Sequence, residues 1–177
     1  MDSKRIAAFL LGAWILGSLF MIFVATQNFA TADRMGQTAS DEASRQLLHR
    51  MAGQENQLFF VNWERTELLL GIALAGVLIF AAGARLTGSL AGIMLLIAAA
   101  QHFAVTPQML SLSTHLDDAA QASQFGKLHA IYGVMEVLKL VVALALAALV
   151  LPEWRYASTP RARKASSINA ISSSRVM

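Results

Sequence analysis

The chain has 177 residues, 56% hydrophobic and 14% charged, with a formal net charge of +3. Soluble domains carry about 25% charged residues, so this composition points to one membrane-embedded domain with no room for a separate soluble enzyme. The absence of cysteine excludes disulfides, thiolate metal sites, iron–sulfur clusters and cysteine nucleophiles, and bases placed beside hydrophobic segments speak for membrane orientation rather than nucleic-acid binding.

A bilayer core of about 30 Å needs about 20 apolar residues in a helix. Residues 6–26 meet this without a charge. Lys4 and Arg5 before them, and Ala30-Thr31-Ala32 after, also resemble a secretory signal. Signal cores run only about 7–15 residues, so the longer run favours an uncleaved first span, which ends at Gln27 and Asn28.

Residues 28–57 then form a long polar connection. Thr38 and Asp41 have capping-box spacing, Ala43, Leu47 and Met51 recur on one helical face, and Gly53 fits a stop. Two readings remain open for this stretch. One is an amphipathic helix lying on the membrane or over the bundle mouth; the other is a helical extension of the first span.

The second span is expected at 58–84, uncharged from Leu68 onward, and the third at 86–105. Arg85, Thr87 and Gly88 fill the short link, which forces a tight antiparallel hairpin. Residues 106–123 read as a second outer connection. Thr106-Pro107 there fits an N-cap followed by proline, and Asp117 and Asp118 favour the start of the fourth helix through its dipole. The fourth span is expected at 128–151. One transmembrane domain thus covers 1–155. The tail, 156–177, is rich in Ser, Arg and Ala and is expected to be disordered, its bases touching anionic headgroups.

Lipid leaves backbone polar groups no partner, so spans are helical or close into a barrel, and continuous apolar runs exclude the barrel. The expected fold is all-α, an integral membrane four-helix antiparallel bundle with an amphipathic outer connection. Lys4 and Arg5, Arg85, and the bases after the fourth span (Arg155, Arg161, Arg163, Lys164 and Arg175) fall on one side of such a bundle. That side is the cytoplasm by the excess of Lys and Arg. Ala84, Gly88 and Gly92 follow a small-xxx-small pattern, and Gly12, Gly17, Gly71 and Gly76 add small surfaces. Packing within the chain accounts for these more simply than dimerisation does.

The most informative residues are ionisable and lie within the spans. Phe125, His129, Tyr132, Glu136 and Lys139 recur at 4, 3, 4 and 3 along the fourth helix, one narrow stripe. Glu64, Glu67 and Gly71 share a face of the second span, with Trp63 and Arg65 beside them; Gln101 and His102 end the third. The alternating topology puts all of them in the outer leaflet. Glu64, Glu67, His102, His129, Tyr132, Glu136 and Lys139 are therefore the candidate pocket residues. Glu136 and Lys139 should pair with each other, or with Glu67 or Arg65. Three readings stay open: a buried ion-pair network fixing helix register, a ligand or proton pocket, and a metal or haem site. His102, His129, Glu64, Glu67 and Glu136 offer ligands suited to a divalent ion, and two histidines can hold haem axially. No HExxH or ExxH spacing is present, so metal and cofactor stay unassigned.

Several segments resemble the transmembrane-protein-205-like family of four-helix membrane proteins, catalogued in bacteria as a domain of unknown function. Gly12-Ala13-Trp14-Ile15-Leu16-Gly17, followed by Phe23-Val24-Ala25 and Phe29, is similar to its opening. Glu55-Asn56-Gln57-Leu58-Phe59-Phe60-Val61-Asn62-Trp63 is similar to its lead into the second helix, and Phe125-Gly126-Lys127-Leu128-His129 to the stretch opening its last helix. The resemblance implies the fold, emphasises Trp14, Trp63 and His129, and supplies no reaction.

The expected role is non-enzymatic: an integral protein, in the bacterial inner (plasma) membrane with both termini cytoplasmic, that binds a small ligand or ion or supports a partner. Its surroundings are the lipid bilayer, with a homo-oligomer or membrane-protein partner as further candidates and no nucleic acid. A proton-coupled transporter component using Glu136, Lys139 and His129, or a metal- or haem-binding redox subunit, are the alternatives. Ser111, Ser113 and His115 lack an oriented base and do not suggest a hydrolase.

Overall fold

The computed structural model describes residues 3–39, 41–82, 85–114, 116 and 118–151. Every element among them is helical. Helix α1 is Ser3–Thr38 and α2 is Glu42–Ala82; α3 is Arg85–Ser113, with a π-helical stretch at Gln101–Val105; α4 is Ala119–Val150.

The helices are longer than the apolar runs that suggested them. Region 28–57 contains no extended connection and no separate amphipathic helix: α1 continues to Thr38, α2 begins at Glu42, and Gly53 lies inside α2. Local chemistry makes the sharp turn. Asp41 accepts the Ser44 backbone N–H at 2.7 Å and the Ser44 hydroxyl at 3.0 Å, satisfying donors that a helix start leaves unpaired. Arg45 Nε donates to the Gly36 carbonyl at 3.1 Å, closing the end of α1.

The second expected connection is also largely helix. Thr106 is not an N-cap, because α3 runs through it to Ser113. A proline inside a regular helix clashes with the carbonyl four residues back. Ahead of Pro107 the helix is wider: the Thr106 N–H donates to the Gln101 carbonyl, five residues back, and the ring is accommodated. Asp118 caps α4, accepting the Ala120 N–H at 2.8 Å. Arg85, Thr87 and Gly88, expected in a link, belong to α3. Ala84, His115, Asp117 and the tail at 156–177 lie outside the described residues.

Contacts between α1 and α2 pair in opposite chain order: Gly36 with Arg45, Asp33 with His49, Asn28 with Asn56, Ser18 with Glu67. Those between α2 and α3 do the same, Glu64 meeting His102 and Thr106 while Ile79 meets Gly88. Helix α4 packs on α1 and α3. Two glycines enable close approach: a Cβ at Gly17 would collide with the Trp63 ring, and one at Gly71 would meet Trp14 and Leu95 side chains at 3.0 and 2.9 Å. Gly12, Gly76 and Gly92 have nothing within 4 Å of an added Cβ, so they supply no tight contact.

The interior has two parts. Leu11, Trp14, Leu74, Met94, Ala143 and Leu146 belong to an apolar core. Beyond it lies a polar layer containing Ser18, Glu64, Glu67, Gln101, Thr106 and Lys139, all buried. The outside is the reverse: Phe80 is 90% exposed and Leu16, Phe20, Leu69, Leu96 and Val137 are exposed with it, whereas Glu67 is 0% exposed. Helices α1, α3 and α4 are long and apolar enough to cross a membrane. Helix α2 mixes the two characters, carrying Glu64, Arg65 and Glu67 just before its apolar stretch from Leu68 to Ala82.

Candidate functional site

The polar layer is built from all four helices and falls into two knots. The first centres on Lys139 of α4. Its ammonium contacts Glu67 of α2 and lies 2.8 Å from Glu136 one turn earlier on α4. Ser18 of α1 donates to the other Glu67 oxygen at 3.3 Å. Gln101 of α3 donates to Glu136 at 3.1 Å and to the Tyr132 carbonyl at 3.3 Å. Lys139 thus has two carboxylates, the arrangement a buried ammonium requires if its desolvation is to be offset.

The second knot centres on Glu64 of α2. One oxygen accepts the Thr106 hydroxyl at 2.5 Å, and the other lies 2.9 Å from His102 Nδ1. Both partners come from α3, on either side of the π turn. Glu64 is 1% exposed, whereas the His102 side chain is 19% exposed. No Lys or Arg contacts Glu64 among the described ion pairs; Arg65 is exposed.

Tyr132 joins the knots. Its ring packs edge-on against Phe60 at 5.8 Å, its backbone carbonyl accepts from Gln101, and its hydroxyl is buried. That hydroxyl and Gln101 Oε1 are buried without a hydrogen bond of good geometry, as are the indole N–H groups of Trp14 and Trp63.

Six of the seven candidate pocket residues therefore gather in one layer: Glu64, Glu67, His102, Tyr132, Glu136 and Lys139. Hydrogen bonds and ion pairs link them to one another. His129 does not join them; it is exposed and stacks on Phe125 at 6.1 Å. Only the C-terminal part of the α4 stripe is buried, and it begins at Tyr132, one turn after His129. Three contributors were not among the candidates. Gln101 stands beside His102 in sequence, and its amide in an apolar helix was a usable signal. Thr106 read as a cap, and Ser18 carried no signal beyond a lone hydroxyl.

Elsewhere, at the α1–α2 turn, Glu42, Arg45, Gln46, His49, Arg50 and Leu116 line a surface cleft of about 500 Å³. His49 there meets Asp33 at 3.0 Å.

Among the described residues no three His, Asp or Glu gather as a metal-ligand set. The carboxylates of the layer instead face an ammonium, hydroxyls, an amide and an imidazole. Comparisons with family models, characterised proteins and solved structures found no match.

Proposed function

We propose that this chain is a non-enzymatic integral membrane protein, an antiparallel four-span bundle of the transmembrane-protein-205-like kind, that binds a small cation, protons included, in its polar layer. Lipid is the solvent that suits helices with apolar exteriors and a charged interior. The inner bacterial membrane with both termini cytoplasmic is the orientation that Lys4, Arg5 and Arg85 favour.

Helix rise then sets depth. At about 1.5 Å per residue, Lys139 lies roughly 16 Å from the inner end of α4. Glu67 lies about 22 Å from the inner end of α2 and Glu64 about 27 Å; His102 is about 25 Å along α3. Against a hydrocarbon core of about 30 Å, the layer occupies the outer half, with Glu64 and His102 nearest the outer boundary.

The observation that carries the cation reading is charge imbalance. Three buried or nearly buried carboxylates, Glu64, Glu67 and Glu136, face one ammonium and one imidazole. A charge at this depth costs at least ~2.5 kcal/mol on insertion scales, so positive charge entering the layer is stabilised there.

The test uses the full chain in lipid nanodiscs, with thermal unfolding read by tryptophan fluorescence. The midpoint is expected to depend on pH or on added Na⁺ or K⁺, and the dependence to diminish in Glu64→Gln or Glu136→Gln. A midpoint indifferent to both variables removes the cation-binding reading. Release of the protein from membranes by alkaline carbonate removes the membrane reading.

A further inference from the structure

The two knots differ in how their negative charge is compensated. Lys139, at 1% exposure, supplies a fixed positive charge to Glu67 and Glu136. Among the described residues no Lys or Arg contacts Glu64, whose oxygens meet the Thr106 hydroxyl and the His102 ring nitrogen. An isolated buried carboxylate is strongly disfavoured, so its counter-charge has to be mobile. We propose that Glu64 and His102 form an exchangeable proton site loaded from the outer face, while the Glu67–Lys139–Glu136 knot stays charged and fixed. This assignment rests on the membrane reading above.

Four observations support it. The His102 side chain is partly exposed while that of Glu64 is sealed, which makes His102 the group through which the carboxylate can exchange with its surroundings. His102 lies close to the outer boundary by helix rise, whereas Lys139 is deeper. The Tyr132 hydroxyl is buried in the same layer without a hydrogen bond of good geometry, a donor not committed to a fixed partner. Finally, the π stretch lets Gln101 reach α4 while His102 and Thr106 reach α2; such turns occur frequently at functional sites.

A proton fits better than a metal cation. Both oxygens of Glu64 are already engaged, one of them by a hydroxyl donor, and no third carboxylate or imidazole completes a ligand set among the described residues.

The loading step balances as follows. In the unloaded state His102 carries its proton on Nδ1 and donates it to the Glu64 carboxylate. A proton from the outer aqueous phase bonds to Nε2. The Nδ1–H bond breaks and that proton bonds to Glu64 Oε2, leaving a neutral carboxylic acid and the Nε2–H tautomer, with Nδ1 accepting from the new O–H. The pair gains one proton and one positive charge, and the imidazole acts as relay.

The groups able to bias this step are few. Helix α2 contributes Glu67, α3 His102 itself, and α4 Tyr132, Glu136 and Lys139. Helix α1 brings no charge between Arg5 and Asp33.

Infrared difference spectroscopy of the nanodisc-embedded full chain, acidic minus alkaline, tests this. Above the C=O band that exposed carboxylates such as Asp33 and Glu42 give in acid, one further band, that of a buried carboxylic acid, is expected, absent in Glu64→Gln and retained in Glu136→Gln. In His102→Gln, proton uptake measured by stopped flow with a pH dye should slow at least tenfold. A buried-acid band that survives Glu64→Gln, or that is lost only in Glu136→Gln, overturns the assignment while leaving the cation-binding layer intact. A buried-acid band displaced by Na⁺ at constant pH makes the ligand a metal cation and also overturns it. Should Glu64→Gln fail to fold, histidine nitrogen NMR of the native sequence decides. The His102 resonances, identified by their loss in His102→Gln, should switch tautomer across the interval in which the band appears. Ring nitrogens unchanged across that interval refute the relay.

Discussion

Replacing Lys139 with methionine keeps an unbranched stem in the core and removes only the ammonium. Glu67 and Glu136 then face each other without the charge that both contact. Breaking a buried ion pair by deleting one partner costs about 3–5 kcal/mol, because the remaining charge is left uncompensated. Glu67→Gln should cost less, about 1.5–3 kcal/mol for a lost charge-assisted hydrogen bond, since Lys139 keeps Glu136 at 2.8 Å. The double variant Glu67→Gln with Lys139→Met removes one charge of each sign. Its remaining carboxylate, Glu136, keeps the Gln101 amide at 3.1 Å and a 12% exposed side chain. The double variant should therefore be more stable than the Lys139→Met single, giving a coupling of about 3 kcal/mol in a double-mutant cycle. SDS titration in mixed micelles, followed by the fluorescence of buried Trp14, measures all four proteins. A Lys139→Met cost below about 1 kcal/mol, or a double variant as unstable as the two singles summed, would refute the claim that this lysine holds two buried carboxylates.

Three further outcomes follow from the packing. Gly17→Ala should destabilise by about 1–3 kcal/mol through overpacking, because its Cβ meets the Trp63 ring, whereas Gly12→Ala, with nothing within 4 Å, should be neutral or slightly stabilising; equal effects in the same SDS titration would contradict the packing. Thr106→Val should cost about 1.5–3 kcal/mol by removing a hydroxyl donor from Glu64, while Thr106→Ser stays near the native value; the check is whether serine alone preserves stability. The chain lacks cysteine, so single cysteines report topology cleanly. An impermeant maleimide should label Thr114→Cys in intact cells and Ser3→Cys only after permeabilisation, and the reverse pattern would invert the orientation.

The charged residues of the polar layer were legible because charge inside an apolar run is costly and demands a partner. Glu64, Glu67, Glu136 and Lys139 all announced themselves in that way, and the spacing of Tyr132, Glu136 and Lys139 put them on one face. Helix ends were less legible for a related reason. Hydropathy reports where apolar side chains stop, not where the backbone hydrogen-bond ladder stops. Residues 28–57 lose hydrophobicity yet stay helical almost throughout, and Thr106 reads as a cap while sitting within a continuous helix. Pro107 is the one local cue to the π stretch at Gln101–Val105, and it does not say which side chains the widened turn redirects, so the partners of Gln101 and Thr106 do not follow from spacing. His129 sits at the edge of the α4 stripe, where periodicity alone does not distinguish the buried arc from its rim.

The separation of the two knots explains why one bundle would keep so much charge inside. Helices in lipid gain little from apolar contact with one another, so close packing and polar contacts decide their register. Around Trp14 and Gly71 the apolar core offers close packing that fixes α1 against α2, whereas the part of α4 in that core is small and aliphatic: Ala143, Leu146 and Val150. The Lys139 knot holds that helix. Shifting α4 by one turn brings Met135 or Val142 toward Glu67 and leaves the carboxylate without its ammonium. A fixed ion pair can thus set register, and that role requires Lys139 to remain charged. Glu64 has no such duty: its partners are a hydroxyl and an imidazole on one helix, and gaining a proton changes no inter-helix ion pair with a fixed charge. The chemistry that can vary is therefore assigned to the knot whose titration leaves the bundle aligned.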